Sequence, residues 1–260
     1  MPEIIVTTSS KAAQETVKAA RALADHYRLR FAPRDRIKTT SQEAIPPFLL
    51  IVGRERLFLQ TPSSKYHFHP GMAALRIKRL VGGETDTMVS AMGLHPGDLV
   101  LDCTLGLGGD AIVASHVVGA AGKVVGLESV LALAILVQEG LAHYRFGYPA
   151  IDEAMRRVIA VHASSHSYLP CLPDRSFDVV YFDPMFRATV DASPGMVPLR
   201  ELGDPGRVTA DLITQARRVA RRRVVMKERR GSAEFARLGF ARIAGGNSSH
   251  VAYGIIERED

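Results

Sequence analysis

The sequence predicts an α/β fold with a doubly wound, mostly parallel sheet from about residue 71 onward. Three observations carry that reading. From Asp98 on, apolar strand-like runs alternate with helical stretches, the pattern of strand–helix–strand crossovers. The last two runs follow each other closely, as an antiparallel closing pair would. The first run ends in a glycine-rich turn that opens a helix, the kind of join at which such folds bind ligands.

Taken in order, residues 1–70 read as a small α/β unit. "EIIVTT" predicts a short strand, "KAAQETVKAARALADHY" a helix with Ala, Val and Leu on one face, and "FLLIVGRERLFLQ" two strands about a glycine turn. Pro70 then starts a helix that the Gly82–Gly83 pair breaks, and a second helix leads to the turn "HPGD". The catalytic-sized domain, residues 71–260, takes its strands from "DLVLDCTL", "KVVGLES", "VIAVHAS", "FDVVYFD", "RRVVMKE", "FARIAG" and "VAYGIIE". These give a seven-stranded sheet with an antiparallel C-terminal strand.

Composition narrows the function. Hydrophobic residues make up 47% of the chain, enough for a sizeable core and too many for wholesale disorder. There is no apolar run of membrane-spanning length, and "MPEIIVTTSS" lacks the basic start and apolar stretch of an export signal. The expectation is a cytoplasmic protein with no membrane partner. Two cysteines, Cys103 and Cys171, are too few for a disulfide framework or a cysteine-based zinc site. The net charge of +6 suits a polyanion such as RNA. The charge is clustered in "RIKRL" (76–80), "RRVARRR" (217–223) and "KERR" (227–230).

Four segments carry chemistry. In "LDCTLGLGGD", a strand ends at Asp102, and Gly106, Gly108 and Gly109 turn the chain into a helix, letting backbone approach a ligand. The next strand ends at Glu128, roughly 20 residues beyond the loop, where an acid can hold two ribose hydroxyls. Loop and acid together predict nucleoside binding in a Rossmann-like domain. Asp102 and Asp110, at either end of the loop, would repel a pyrophosphate but suit an ammonium and a sulfonium. That charge pattern favours S-adenosylmethionine (SAM) over a dinucleotide.

The third segment is "FDVVYFDPMF", which delivers Asp183, Pro184 and Phe186 to the ligand-binding end of a buried strand. An Asp-Pro-x-aromatic pattern fits methylation of an exocyclic amine on a planar base. Asp183 and the Pro184 carbonyl could accept its two N–H bonds, and Phe186 could stack on the ring. The fourth is "VHASSHSYL", where Ser164 and Ser165 are candidates for the adenine edge. His162 and His166 lack metal-ligand spacing, and no metal is expected. Arg76, Lys78, Arg79, Arg187 and Lys227 are candidate phosphate contacts.

These segments resemble the RsmJ-type ribosomal RNA small-subunit guanine-N2 methyltransferases and a group of uncharacterised relatives. The matching strings are "GMAALRIKRLVGG", "LDCTLGLGGDA", "LES", "VHASS", "VVYFDPMF" and "RRVVMKER", in the family's order over residues 70–230. The resemblance implies a class I SAM-dependent methyltransferase acting on rRNA or the small ribosomal subunit. It implies cofactor roles for Gly109, Asp110, Glu128, Ser129, Ser164, Ser165 and Asp183. The chain carries Glu-Ser at 128–129 where the family has Glu-Arg, and few lysines after Phe186. A small-molecule or protein methyltransferase, or a non-catalytic SAM- or RNA-binding module, stays open as an alternative.

Overall fold

The computed structural model describes residues 3–37, 48–184, 208–246 and 249–258. The chain divides into two compact units, residues 1–69 with 135–144, and residues 70–134 with 145–260. No single cut along the chain yields that division, because Ile135–Tyr144 groups with the first unit.

The first unit holds a five-stranded sheet in the order β2-β1-β3-β4-β5. β1 (Ile4–Thr8) runs parallel to β2 (Arg30–Phe31) and β3 (Phe48–Val52). β3, β4 (Leu57–Gln60) and β5 (Lys65–His67) form an antiparallel meander. Ile5, Ala32, Leu49 and Ile51 make a small core, and helix α1 (Gln14–His26) buries Ala20 and Ala24. Two interactions tie the 135–144 segment into this unit. The Tyr27 hydroxyl donates to Glu139 at 2.9 Å, and the Phe68 and Tyr144 rings meet edge-on at 5.8 Å.

The second unit opens with α2 (Met72–Val81), which buries Ala73, Ala74 and Ile77 and stops at Gly82. α3 (Thr87–Met92) begins at Asp86, whose carboxylate accepts the Val89 N–H at 3.1 Å, an ordinary acidic N-cap. Beyond it lie β6 (Leu99–Asp102), α4 (Gly109–Val118), β7 (Lys123–Glu128), the start of α5 (Leu131–His143, which groups with the first unit from Ile135 on), α6 (Pro149–Arg157), β8 (Val158–His162), α7 (Ser165–Tyr168) and β9 (Phe177–Phe182). They are followed by α8 (Ala210–Val219), β10 (Ala220–Arg229), α9 (Ala233–Arg237), β11 (Arg242–Ala244) and β12 (Val251–Glu257).

The seven strands order as β11-β12-β10-β9-β6-β7-β8. β8, β7, β6, β9 and β10 are mutually parallel. β12 is antiparallel to both of its neighbours and alone runs against the rest. The fold is therefore the Rossmann-like α/β architecture the sequence predicts, with its antiparallel C-terminal strand. Central strands are apolar on both faces, as helix-covered parallel strands must be: Val179, Val180, Tyr181 and Phe182 are all buried. α4 is buried almost all round, with Ala111, Ile112, Val113, Ala114 and Val118 inside. Its Ser115 hydroxyl finds a partner in the Ala154 carbonyl of α6 at 2.8 Å.

Candidate active site

From β6 the chain winds outward through β7 and β8, then returns to the other side of β6 as β9. This reversal opens a crevice beyond the C-terminal ends of β6 and β9, the place where open α/β sheets bind ligands. Asp102 ends β6, Glu128 ends β7, and Asp183 follows β9 directly. Met226 pairs with Phe182 across β10 and β9, which brings Lys227 level with Asp183.

The glycine loop bridges the crevice. Cys103 N–H donates to the Tyr181 carbonyl of β9, and Leu105 N–H to the Leu127 carbonyl of β7, each at 2.9 Å. Asp183 N–H donates to the Thr104 hydroxyl at 2.6 Å, and Gly106 N–H to Glu128 Oε2 at 3.2 Å. The loop is thus stitched to both neighbouring strands. Gly108 caps α4 in the left-handed region, at φ +79°, which explains a glycine there. Gly126 answers a different need, since a Cβ on it would overlap the Leu105 side chain.

A chain of charges runs through the crevice. Arg76 of α2 forks onto Asp86, Nε at 2.7 Å and Nη2 at 2.8 Å, and reaches Asp110 Oδ1 at 2.5 Å. Asp110 Oδ2 accepts from the Tyr181 hydroxyl at 2.7 Å and from Lys227 Nζ at 3.2 Å. Lys227 Nζ also donates to Asp183 Oδ2 at 2.7 Å. Three carboxylates and two cations interlock here, leaving one negative charge in the chain.

Burial and neighbours split the acids. Asp102 is fully enclosed, and burial, with Asp110 and Asp183 nearby, pushes its carboxyl up to about 7 against the hydrogen bonds from Thr104. Burial also raises Asp183, helped by the neighbouring Asp110 charge and opposed by Lys227. Asp110 feels the same burial, but Lys227, Arg76 and the Tyr181 hydroxyl outweigh it and hold its carboxyl below the usual range. For Lys227, burial is overcome by Asp183 and Asp110, so it stays charged. Burial and Asp110 push the Tyr181 hydroxyl well up, which keeps it a donor.

The other residues singled out from sequence lie as follows. Glu128 accepts the Val130 N–H at 2.8 Å besides the Gly106 bond. The Ser129 carbonyl meets the His162 ring at 3.2 Å. Ser164 caps α7 by accepting the His166 N–H at 3.3 Å, and Ser165 is that helix's first residue. All of these sit at the C-terminal ends of β7 and β8, along the same edge as Asp183. Pro184 follows Asp183, while Phe186 and Arg187 lie outside the described residues. Cys103 and Cys171 are both free thiols. Among the described residues, His, Cys, Asp and Glu side chains make no group of three that could hold a metal ion. No helix among them is long and apolar enough to cross a membrane.

Two sequence expectations need correction. Arg76 and Lys227 are not free phosphate-binding cations: both are mostly buried and committed to carboxylates. Lys78 lies over the Phe146 and Tyr148 rings at 5.4 and 5.6 Å, and Arg79 stands 4.0 Å from Glu84 at the surface. Thr104, Asp86 and Tyr181 escaped the sequence reading. Tyr181 carried a signal, because it precedes Asp183 by two residues and so shares its face of the strand.

The chain's relatives bear on this site. A family described as "Putative SAM-dependent methyltransferase" matches residues 35–238. The "Uncharacterized protein YpiP" of Bacillus subtilis (strain 168) is 38% identical, over 97% of this chain and 99% of its own length. A "Ribosomal RNA small subunit methyltransferase J" from Laribacter hongkongensis is 32% identical over 62% of this chain and 57% of the relative. One of the same name from Coxiella burnetii is 29% identical over 70% and 73%. The crystal structure of the SAM-dependent methyltransferase NGO1261 from Neisseria gonorrhoeae superposes with a TM-score of 0.66 at 19% identity, covering 97% of this chain and 95% of that one.

Proposed function

The chain belongs to the RsmJ-like class I family of SAM-dependent methyltransferases, and on that premise we propose that it methylates an exocyclic amine of a nucleic-acid base, guanine N2 in small-subunit rRNA. SAM supplies an electrophilic methyl group on a sulfonium leaving group. The residues fit such a cation. Glu128 ends β7, where an acid can take two ribose hydroxyls. Asp102 and the net negative charge chain flank the loop where the ammonium and sulfonium would lie. Ser129, Ser164 and Ser165 are assigned to the nucleoside side, Gly106, Gly108 and Gly109 to close backbone approach, and Asp110 to anchoring the charge chain.

The observation that carries the proposal is Asp183 at the end of β9, its Oδ2 held by Lys227 at 2.7 Å and its N–H by Thr104 at 2.6 Å. An exocyclic amine is a weak nucleophile because its lone pair is delocalised into the ring. Acceptors on its two N–H bonds draw the nitrogen toward a tetrahedral shape and free the lone pair. We assign those acceptors to the Asp183 carboxylate and the Pro184 carbonyl. Lys227 keeps Asp183 ionised for this task, and the raised basicity that burial gives Asp183 suits it to take the proton the amine sheds. Phe186 is assigned to stacking on the base, which must first leave its own stack.

Transfer of labelled methyl groups to isolated small ribosomal subunits tests the reading. Digestion to nucleosides should place the label in N2-methylguanosine. Label in another methylated base would keep the amine chemistry and move the target. SAM binding without any label in RNA would overturn the nucleic-acid assignment in favour of a small-molecule or protein acceptor.

A further inference from the structure

The arginine run 217–223 plays no part in the chemistry above. It gathers at the opposite edge of the seven-stranded sheet, where α8 ends, β10 begins and β12 finishes. There a cleft of 580 Å³ is lined by Arg217, Arg218, Arg222, Arg223 and Arg258, with Glu257 as its acid. The volume is that of a small-ligand site. The lining is cationic where ligand pockets are ordinarily apolar.

Four of the five guanidinium groups, all but that of Arg217, are fixed in place from behind. Arg223 donates to the Ala91 carbonyl at 3.2 Å and pairs with Glu257 at 3.0 Å. Arg222 donates to the Gly93 carbonyl at 3.2 Å and to Asp98 at 2.5 Å. Arg258 uses one nitrogen, Nη1, on the carbonyls of Arg217, Arg218 and Ala220, at 3.2, 3.3 and 3.0 Å. Arg218 donates to the Leu169 and Leu172 carbonyls at 2.9 and 2.8 Å, to Gln215 at 2.9 Å and to Asp174 at 2.5 Å, so it is fixed and its charge is paired. Each guanidinium has five N–H groups, so the anchors on Arg222, Arg223 and Arg258 leave others for a ligand without the entropy cost of ordering the side chain. Among the described residues no carboxylate pairs with Arg217 or Arg258, and Arg217 is exposed. Forked, pre-ordered N–H donors with charge to spare match phosphate oxygens.

We propose that this cleft is a second RNA site, which binds phosphodiester groups of a stretch remote from the base being modified. The proposal rests on the RNA reading above. Arg223 and Lys227 are four residues apart on β10, about 13 Å at the rise of an extended strand, and they face opposite edges of the sheet. A nucleotide seated at Asp183 therefore cannot also fill the cleft. The enzyme would favour a long or folded RNA over a short oligonucleotide that carries the target base alone.

The test is equilibrium binding of a fluorescein-labelled fragment of small-subunit rRNA across a salt series. It compares wild type with Arg217→Glu and with Arg217→Glu/Arg258→Gln, with SAM affinity and melting temperature measured in parallel. Among the described residues the Arg217 side chain makes no hydrogen bond or ion pair, and the carbonyl it offers Arg258 survives substitution, so Arg217→Glu should fold and bind SAM like wild type. Its RNA affinity should fall roughly tenfold, and the dependence of log K on log salt should flatten by about one unit for each phosphate no longer neutralised. Wild-type RNA affinity and slope in both variants would overturn the proposal. Tight wild-type binding of inorganic pyrophosphate, lost in the variants while RNA binding stays intact, would reassign the cleft to a free phosphate compound. If small subunits accept methyl label yet the variants bind RNA normally, the cleft assignment alone fails. If wild type neither binds nor labels RNA, the functional reading fails with it.

Discussion

The two edges of the seven-stranded sheet use charge in opposite ways. At the C-terminal edge, Asp86, Arg76, Asp110, Lys227 and Asp183 bind one another in an unbroken chain, with the acids in excess. At the N-terminal edge, arginines brace backbone carbonyls and single acids, with the cations in excess. One strand, β10, contributes to both, through Arg222 and Arg223 near its start and Lys227 near its end. Residue type therefore does not decide the role of a basic side chain here. Its partners do: a cation locked between buried carboxylates sets their ionisation, whereas Arg258, braced by three neutral carbonyls, keeps a charge that no carboxylate among the described residues offsets.

The contrast can be broken most severely at Asp183. Asp183→Ala should lower methyl transfer on the order of 100-fold or more while leaving SAM affinity within a few-fold, as loss of a group acting mainly in the transition state does. Single-turnover transfer and calorimetric SAM binding separate the two effects. Next comes Lys227→Met, which strands Asp110 and Asp183 beside each other without their shared cation. Stability should drop by about 3 kcal/mol, measured by urea unfolding, because removing one partner leaves an uncompensated buried charge. Lys227→Arg should recover most of that loss, and a variant with unchanged stability would show that the charge chain does not hold the crevice together.

A smaller effect is expected at Glu128. Glu128→Gln keeps a hydrogen-bonding side chain but loses the carboxylate, and SAM should bind about tenfold more weakly with little change in the rate at saturation. The smallest is a pH effect on cofactor binding. Burial pushes the Asp102 carboxyl up to about 7, and a cationic ligand favours its ionised form. SAM affinity should therefore be constant above that pH and decline below it, with proton release on binding near neutrality. Asp102→Asn should flatten the profile.

Much of the candidate site was legible in the sequence because strand ends announce themselves. Asp102, Glu128 and Asp183 each close an apolar run, and the sheet order carries them to one crevice. The seven strands were legible for the same reason. What the sequence hid were elements with little apolar signal. β2 is only two residues long, and α6 shows just Ile151, Ala154 and Met155 among charged neighbours. The misassigned cations were hidden differently. Arg76 meets Asp110 across 34 positions of sequence, and Lys227 meets Asp183 across 44. A local pattern sees the positive charge and not the partner that neutralises it. Thr104, a plain loop threonine by sequence, gains its role only because β9 brings the Asp183 N–H to its hydroxyl.

The most direct measurement is the N2-methylguanosine content of small-subunit rRNA, by mass spectrometry of nucleosides, in a strain lacking the gene and supplied with wild type or Asp183→Ala. One modified position should vanish on deletion, return with wild type and stay absent with Asp183→Ala despite normal protein levels. Unchanged modification in the deletion strain, or full restoration by Asp183→Ala, would contradict an amine-methylating site built on Asp183.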